Sequence, residues 1–190
     1  SPFDNLWVMP ASSRLDELHS KLESRYKIYK LQKALQALEG QFDVILIDTP
    51  PSLNFYTRSA LIAAQECLIP FDCDAFSRQA LYSLMEAFQD LKADHNPELE
   101  IAGIVVNQFQ SRARLPGALV AELEAEGLPV LKPYLRSTVK VRESHQASLP
   151  MIHLEPSHPL TLELLELSGL INKGVKRRKG KVLKGAKNER

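Results

Sequence analysis

The sequence of 190 residues predicts an α/β domain with a mostly parallel, doubly wound sheet. Four consecutive aliphatic residues, Val44 to Ile47, are too apolar for a strand with one face in water and indicate a strand buried on both faces. Further apolar runs alternate along the chain with segments of helical periodicity, which is typical of βαβ units. A chain of this length is sufficient for one well-buried domain and short for two.

The first third of the chain is predicted to contain a strand, a helical region and a second strand. The first strand covers 6–10 and ends at Pro10. A capping-box sequence begins at Ser13, and leucines recur at helical spacing from there to Leu38. Gly40 supplies a helix stop before the apolar strand at 44–47.

The remaining chain continues this alternation. Apolar runs predict strands at 66–71, 101–106 and 130–131, and helical spacing predicts helices at 57–65, 77–94, 116–127, 140–147 and 159–171. The helix at 77–94 is predicted to begin at a Ser77 cap. Because neither a repeat nor a linker interrupts the pattern, residues 1–172 are predicted to form one domain and 173–190 a separate, disordered tail.

Composition limits the classes of function. The hydrophobic and charged fractions, 44% and 25%, are ordinary for a globular protein in water. No apolar run reaches the about 20 residues that span a bilayer, and no signal peptide is visible, so we expect a cytoplasmic protein. Cys67 and Cys73 lack CxxC spacing and are expected to be buried thiols. The five histidines lack metal-ligand spacing, and Ser52 lacks a nucleophile-elbow motif.

The charge of the chain is divided unevenly. Residues 173–190 contain nine Lys or Arg and one acidic residue, whereas the preceding residues contain 15 basic and 22 acidic groups. A basic tail on an acidic body favours a polyanionic partner. Three glycines and few apolar residues disfavour a membrane-binding amphipathic helix. Binding to the phosphate backbone of DNA fits this composition better, and the alternative is a solubilising tail. The predicted DNA-backbone contacts are Lys176, Arg177, Arg178, Lys179 and Lys181.

The apolar run at 44–47 ends at a carboxylate, Asp48, which is followed by Pro50 and Pro51. Open α/β sheets place ligand chemistry at the carboxyl ends of their strands. A single carboxylate there suits a hydrated Mg²⁺ ion beside the phosphates of a nucleotide. An Asp that only caps a turn is the alternative.

Residues 42–53, Phe-Asp-Val-Ile-Leu-Ile-Asp-Thr-Pro-Pro-Ser-Leu, followed by 57–64, resemble the Walker B and switch II segment of ParA/Soj/MinD-type partitioning ATPases. The resemblance extends from Leu6 to Ile171 in the order and spacing of the later segments, including Pro70-Phe71 and Asn96-Pro97. It implies a P-loop NTPase-like three-layer sandwich, with ATP and Mg²⁺ as cofactors. By this resemblance, Asp48 would hold Mg²⁺ through a water molecule, and Pro50 and Pro51 would stiffen a turn that senses the γ-phosphate.

Four further residues receive cofactor-binding roles from the resemblance. Asn107 is similar to the residue that hydrogen-bonds adenine in MinD-like relatives, and Pro133 and Tyr134 would flank the base. Arg136 matches a polar position near the nucleotide and the dimer face. A turn-forming Asn and a solvated Arg are the alternatives.

The glycine-rich phosphate loop of this family does not occur in the printed sequence. Such a loop needs backbone N–H groups that wrap the phosphates and a lysine that neutralises them. The nearest imitation, at Gly174 and Gly180-Lys181, has the wrong spacing and Val182 where a hydroxyl should bind magnesium. We interpret the chain, which begins at Ser1, as a fragment that lacks the first strand, and we expect it neither to bind ATP tightly nor to fold robustly alone.

The resemblance implies a homodimeric ATPase for plasmid or chromosome partition at the bacterial nucleoid. Such a protein would bind non-specific DNA when ATP is bound, and a centromere-binding ParB-like partner would stimulate its hydrolysis. The alternative is a non-catalytic DNA-binding or regulatory module that retains the fold. A MinD-like ATPase that cycles on membranes is disfavoured by the composition of the tail.

Overall fold

The computed structural model describes residues 1–24 and 27–185. The elements along the chain are α1 (Arg14–Ser24), α2 (Lys30–Gln36), α3 (Phe55–Ala63), β1 (Glu66–Asp72), α4 (Ala75–Asp94), β2 (Glu100–Asn107), α5 (Arg114–Ala125), β3 (Val130–Leu131), α6 (Lys140–Ala147), α7 (Met151–Leu154) and α8 (Pro159–Gly185). The chain divides into a first unit, residues 1–65 and 88–99, and a second unit, residues 66–87 and 100–190.

The second unit is built on a parallel sheet with the strand order β1-β2-β3. β1 and β2 pair from Glu66 opposite Glu100 to Asp72 opposite Asn107, with a register shift after Cys67. All three predicted strands in this part of the chain are confirmed within one or two residues. Because the strands are parallel, their carboxyl ends lie at one edge of the sheet.

Apolar side chains cover both faces of this sheet. On one face, Ile104 and Val106 of β2 pack with Leu81 of α4 and with Val120 and Leu123 of α5. On the other face, a second cluster contains buried Leu135, Leu160 and Leu167 and partly buried Val105 and Leu131. Residues of one strand alternate between the two faces, as the pleat requires. The result is a helix–sheet–helix sandwich, which confirms the predicted fold class.

The first unit is helical. Its buried residues come mainly from α3, including Phe55 and Ile62, and from 88–99, including Phe88 and Leu99. The amide of Asn96 donates toward the carbonyl oxygens of Leu61, Ile62 and Ala64 at 3.1, 3.1 and 2.7 Å. This single side chain therefore satisfies carbonyl groups that the end of α3 would leave unpaired.

The two predicted strands at the start of the chain are absent from the described residues. Residues 6–10 and 44–47 lie outside any strand, and Leu46 is 83% exposed. A strand buried on both faces needs a layer packed on each face of its sheet, and it needs a neighbouring strand for its backbone hydrogen bonds. No strand within 1–24 or 27–185 pairs with 44–47, so the apolar pattern alone does not produce one. The indole of Trp7 packs edge-on against Phe42, with ring centroids 5.5 Å apart.

The C-terminal helix is longer than predicted. α8 was expected to end near Ile171 but continues to Gly185. Residues 186–190 lie outside the described part of the chain. The short helix α7 was not predicted. Across the described ranges, no helix combines the length and apolar character needed to span a membrane.

Candidate functional site

The segment that follows Asp48 accepts several hydrogen bonds from the first turn of helix α3. Asn54 is the N-cap of α3, and its side-chain oxygen accepts from the backbone N–H groups of Tyr56 and Thr57 at 2.9 and 3.2 Å. The buried hydroxyl of Thr57 donates to the carbonyl oxygen of Ser52 at 2.7 Å, with the carbonyl of Pro50 3.4 Å away. The Pro50-Pro51 turn is therefore fixed to the first turn of the helix.

Asp48 itself is exposed, so its carboxylate can meet a hydrated ion. Mg²⁺ usually retains several waters and binds proteins through one or two carboxylates together with substrate phosphates. Among the described residues, no group of three or more His, Cys, Asp or Glu could enclose a metal. A single carboxylate is the donor set that suits Mg²⁺ shared with a nucleotide, so Asp48 fits the predicted ion.

In the second unit, polar side chains meet at the carboxyl ends of β1 and β2. The Asn107 amide donates to Oδ1 of Asp72 at 3.0 Å, and the Gln108 amide lies 3.2 Å from Oδ2 of the same carboxylate. Asn107 is thus oriented by a residue on the neighbouring strand. Within the described chain, its amide oxygen accepts no hydrogen bond and is available to a ligand donor.

The N-terminus of helix α4 is capped by Asp74 and not by the predicted Ser77. α4 begins at Ala75, and Oδ1 of Asp74 accepts from the Ser77 backbone N–H at 2.7 Å. The Ser77 hydroxyl donates to Oδ2 at 2.9 Å. These hydrogen bonds lower the pKa of Asp74 because they stabilise its ionised form. Burial, followed by the charges of Asp72 and Asp74, raises the pKa of the Cys73 thiol.

Tyr134 lies beside the extension of β2. Its ring centroid is 4.9 Å from that of Phe109, and its hydroxyl donates to Oε1 of Glu124 at 2.9 Å. Burial first, and then this hydrogen bond, raises the pKa of Tyr134. Lys132 also contacts Glu124, with Nζ and Oε1 3.0 Å apart, and precedes Pro133 through a cis peptide bond. Both partners lower the pKa of Glu124 by bonding to its ionised form.

Arg136 forms a polar link to helix α8. Its Nε donates to Oε1 of Glu163 at 2.8 Å, and its backbone N–H donates to Oε2 at 3.0 Å. The Glu163 side chain is only 14% exposed. The ion pair raises the pKa of Arg136 and gives this residue a structural partner. Its predicted contact with a nucleotide stays a prediction.

The structure brings several predicted residues to one edge of the second unit. Leu135 N donates to Val106 O at 2.9 Å, and Phe109 N donates to Leu135 O at 2.8 Å. The chain segments that carry Asn107 and the predicted residues Pro133, Tyr134 and Arg136 therefore run side by side. Asp48, Pro50 and Pro51 belong to the first unit.

The predicted DNA-binding side chains cannot be placed. Lys176, Arg177, Arg178, Lys179 and Lys181 lie on the helical continuation of α8, but their side chains are outside the described part of the structure.

Sequence reasoning missed the residues that hold the predicted ones in place. Asp72 could have been found by the rule that identified Asp48, because it also follows an apolar run at a strand end. Asn54 precedes a helical segment and has a typical N-cap side chain. Nothing local to Thr57 or Glu163 signals their long-range hydrogen bonds.

Comparison with known proteins gives the family. Residues 1–101 match the sequence profile of the AAA domain family, which covers more than half of the chain. ParA of Caulobacter vibrioides, a chromosome partitioning protein, is 30% identical over 149 residues. That alignment covers 76% of this chain and 56% of the relative. The chain belongs to the ParA/MinD-type P-loop ATPase family.

Other members of the ParA/MinD-type family and related folds extend this result. The chromosome-partitioning ATPase Soj of Treponema pallidum is 31% identical, with 80% of this chain and 60% of Soj aligned. The chain thus spans little more than half the length of these curated relatives.

Solved structures agree on the fold. Cobyrinic acid a,c-diamide synthase from Mycobacterium smegmatis is 28% identical with a TM-score of 0.63 over 78% of this chain and 63% of the synthase, and one of its structures contains an ATP analog and magnesium. McdA from Cyanothece has a TM-score of 0.73 at 19% identity over 88% of this chain and 66% of McdA, which shows a shared fold alone.

Proposed function

We propose that this protein is a ParA-type ATPase that binds ATP with Mg²⁺ and acts in plasmid or chromosome partition at the nucleoid. The observation that carries the proposal is the Asp48-Thr49-Pro50-Pro51-Ser52 segment, which lies within the matched residues 1–101 and is anchored to α3 by Thr57. Partitioning proteins among the relatives support the cellular role.

In this proposal, Asp48 holds Mg²⁺ through a bound water, and the ion neutralises charge on the β- and γ-phosphates. Pro50 and Pro51 restrict the backbone of the following turn, so a γ-phosphate that contacts the turn would change its position as a whole. The printed residues supply no phosphate loop, so the phosphates need further donors besides these.

The adenine base is proposed to bind at the carboxyl edge of the second unit. The amide oxygen of Asn107 would accept a hydrogen bond from the exocyclic amino group of the base. Pro133 and Tyr134 would contact the base from the neighbouring segment. The bond from Asn107 to Asp72 supports this role, because it turns the amide nitrogen away and leaves the oxygen for the ligand.

The proposed partners are a second copy of the protein, non-specific DNA and a centromere-binding ParB-like protein. An excess of basic residues after position 172 supports phosphate-backbone binding, which depends on salt and not on sequence. α8 would present these residues on a helix that continues from the folded domain.

ATP hydrolysis by the full-length polypeptide that the gene encodes tests this function. We expect slow turnover and ATP-dependent dimerisation, measured by phosphate release and light scattering. Asp48→Asn should lower turnover by about 10–100-fold, because a ligand to metal-bound water is lost. Asp90→Asn removes a carboxylate from the exposed face of α4 and serves as the control. Equal turnover in wild type and Asp48→Asn would contradict the proposal.

DNA binding is tested separately. Deletion of 173–190 should flatten the dependence of DNA affinity on salt concentration, because fewer counterions are released. An unchanged slope would exclude the tail as the DNA-binding element.

The second candidate is a non-catalytic DNA-binding or regulatory module. It is favoured by one observation, namely that the printed sequence contains no glycine-rich phosphate loop. Salt-dependent DNA binding without any ATP binding by the full-length polypeptide would support this function over the first.

A further inference from the structure

Thr57 lies in the first turn of helix α3 and links this helix to the turn after Asp48. Its side chain is largely buried, with 8% of the residue exposed. The hydroxyl donates to Ser52 O at 2.7 Å, and the backbone N–H donates to Asn54 Oδ1 at 3.2 Å. One residue therefore bonds to both the beginning and the end of the segment that joins Pro51 to the helix.

The first turn of α3 is in turn fixed to α1. The Tyr56 hydroxyl donates to the backbone carbonyl of Leu15. The His19 ring lies edge-on to the rings of Phe55 and Tyr56, with centroids 6.1 and 5.6 Å apart. Contacts within the first unit thus run from the turn, through Thr57, to α3 and α1.

The link between Thr57 and the Ser52 carbonyl requires a hydroxyl group and does not depend on the shape of the side chain. Valine has nearly the same volume as threonine but cannot donate, so it would leave the Ser52 carbonyl without its partner. Serine retains the donor and loses only a methyl group. The two substitutions therefore separate hydrogen bonding from packing.

We propose that Thr57 is a positioning residue that makes the Pro50-Pro51 turn and helix α3 move as one body. The inference rests on the proposed function, since a nucleotide at Asp48 is what would displace the turn. Displacement of the turn by a γ-phosphate would then be carried into α3 and, through Tyr56, into α1. Without the hydroxyl, the turn would move independently of the helix.

Hydrogen exchange of the full chain, followed by mass spectrometry of peptides that cover 49–57, tests the link without nucleotide. In Thr57→Val, exchange at the amides of residues 56 and 57, which donate to Asn54 Oδ1, should be about tenfold faster than in wild type, because one buried hydrogen bond no longer opposes local opening. Thr57→Ser should restore the wild-type rate. Unchanged exchange in Thr57→Val, or faster exchange in Thr57→Ser that equals that of valine, would overturn the proposal.

Thr161 provides a matched control in the second unit. It is 1% exposed, and its hydroxyl donates to Glu155 O at 2.7 Å. Thr161→Val should lower the melting temperature as Thr57→Val does and leave exchange at 49–57 unchanged. An equal increase of exchange at 49–57 in both variants would show that a general loss of stability is the cause, and it would overturn the proposal.

Addition of Mg-ATP to the full-length polypeptide tests the transmission. In wild type, exchange should slow in the turn, in α3 and in α1, whereas in Thr57→Val it should slow in the turn alone. Equal slowing of α3 and α1 in both proteins would overturn the inference. Failure of wild type to bind Mg-ATP would instead contradict the proposed function, while the nucleotide-free comparison still decides whether Thr57 holds the turn.

Discussion

The side-chain amide of Asn107 donates to the carboxylate of Asp72 across the ends of two paired parallel strands, at 3.0 Å. The two residues are register partners at the last pair of the β1–β2 ladder. The chemistry of this edge therefore depends on a strand pairing that brings together two residues 35 positions apart in the sequence. A residue that was predicted to contact a base is oriented by one that was not predicted at all.

Loss of the Asp72 carboxylate should destabilise the second unit. Asp72→Ala leaves Asn107 and Gln108 without their acceptor, and we expect the free energy of unfolding in urea to fall by about 1–2 kcal/mol. Asp90→Ala, on the exposed face of α4, should change it by less than about 0.5 kcal/mol. Equal effects of the two substitutions would show that the contact to Asn107 contributes nothing.

Close packing between β2 and β3 makes Gly103 intolerant of a side chain. A Cβ at this position would lie 2.3 Å from Cγ of Leu131. Gly103→Ala should therefore lower the free energy of unfolding by about 1–3 kcal/mol. Gly117 in α5 has no neighbour within 4 Å of such a Cβ, and Gly117→Ala should stabilise the protein by up to about 1 kcal/mol. Calorimetry of both variants measures whether the two changes in stability have opposite signs. A Gly103→Ala protein as stable as wild type would contradict the prediction.

Acid should weaken the start of α4 through Asp74. Because its folded-state pKa is lowered, Asp74 stabilises the protein fully above its unfolded pKa of about 4, and this contribution is lost as the pH falls through the lower folded value. Ser77→Ala removes one of the bonds that lower the pKa, so the Asp74 pKa should rise toward its usual value. Titration of the carboxyl carbon by NMR measures this shift. An Asp74 pKa that is the same in both proteins would contradict the assigned cause.

The direct interaction between the side chains of Arg136 and Glu163 should stabilise the folded protein. In a double-mutant cycle with Arg136→Ala and Glu163→Ala, we expect a favourable coupling energy, because the contact is charge-assisted and Glu163 is largely shielded. Arg136→Lys should recover only part of it, since lysine lacks the planar fork. Additive effects of the two alanine substitutions would show that Arg136 is free to serve another partner.

The parts of the fold that were predicted well are the strands of the β1-β2-β3 sheet and the helices that pack on it. β1, β2 and helices α4, α5 and α6 were located to within two residues, because their apolar periodicity agrees with the layers that bury them, whereas α7 was missed and α8 was predicted too short. Residues 44–47 have an equally strong strand pattern and form no strand. Local apolarity indicates what a segment can bury, whereas pairing partners determine whether it becomes a strand.

The candidate site shows the same division. Asp48 was identified because the apolar run before it predicted the carboxyl end of a strand, and Asn107 was identified by its resemblance to an adenine-binding position. Their supporting contacts, Thr57 to Ser52 and Arg136 to Glu163, depend on how the chain turns in three dimensions. The cap of α4 was placed at Ser77 instead of Asp74 because both are good N-cap residues, and only the backbone decides between them.

Asp48 is proposed to bind, through a water molecule, the magnesium that accompanies ATP. The most direct measurement is the affinity of the full-length polypeptide for ATP with and without Mg²⁺, for wild type and for Asp48→Asn. We expect Mg²⁺ to strengthen ATP binding by wild type by about 10–100-fold and to have little effect on Asp48→Asn. The same dependence on Mg²⁺ in both proteins would contradict the account.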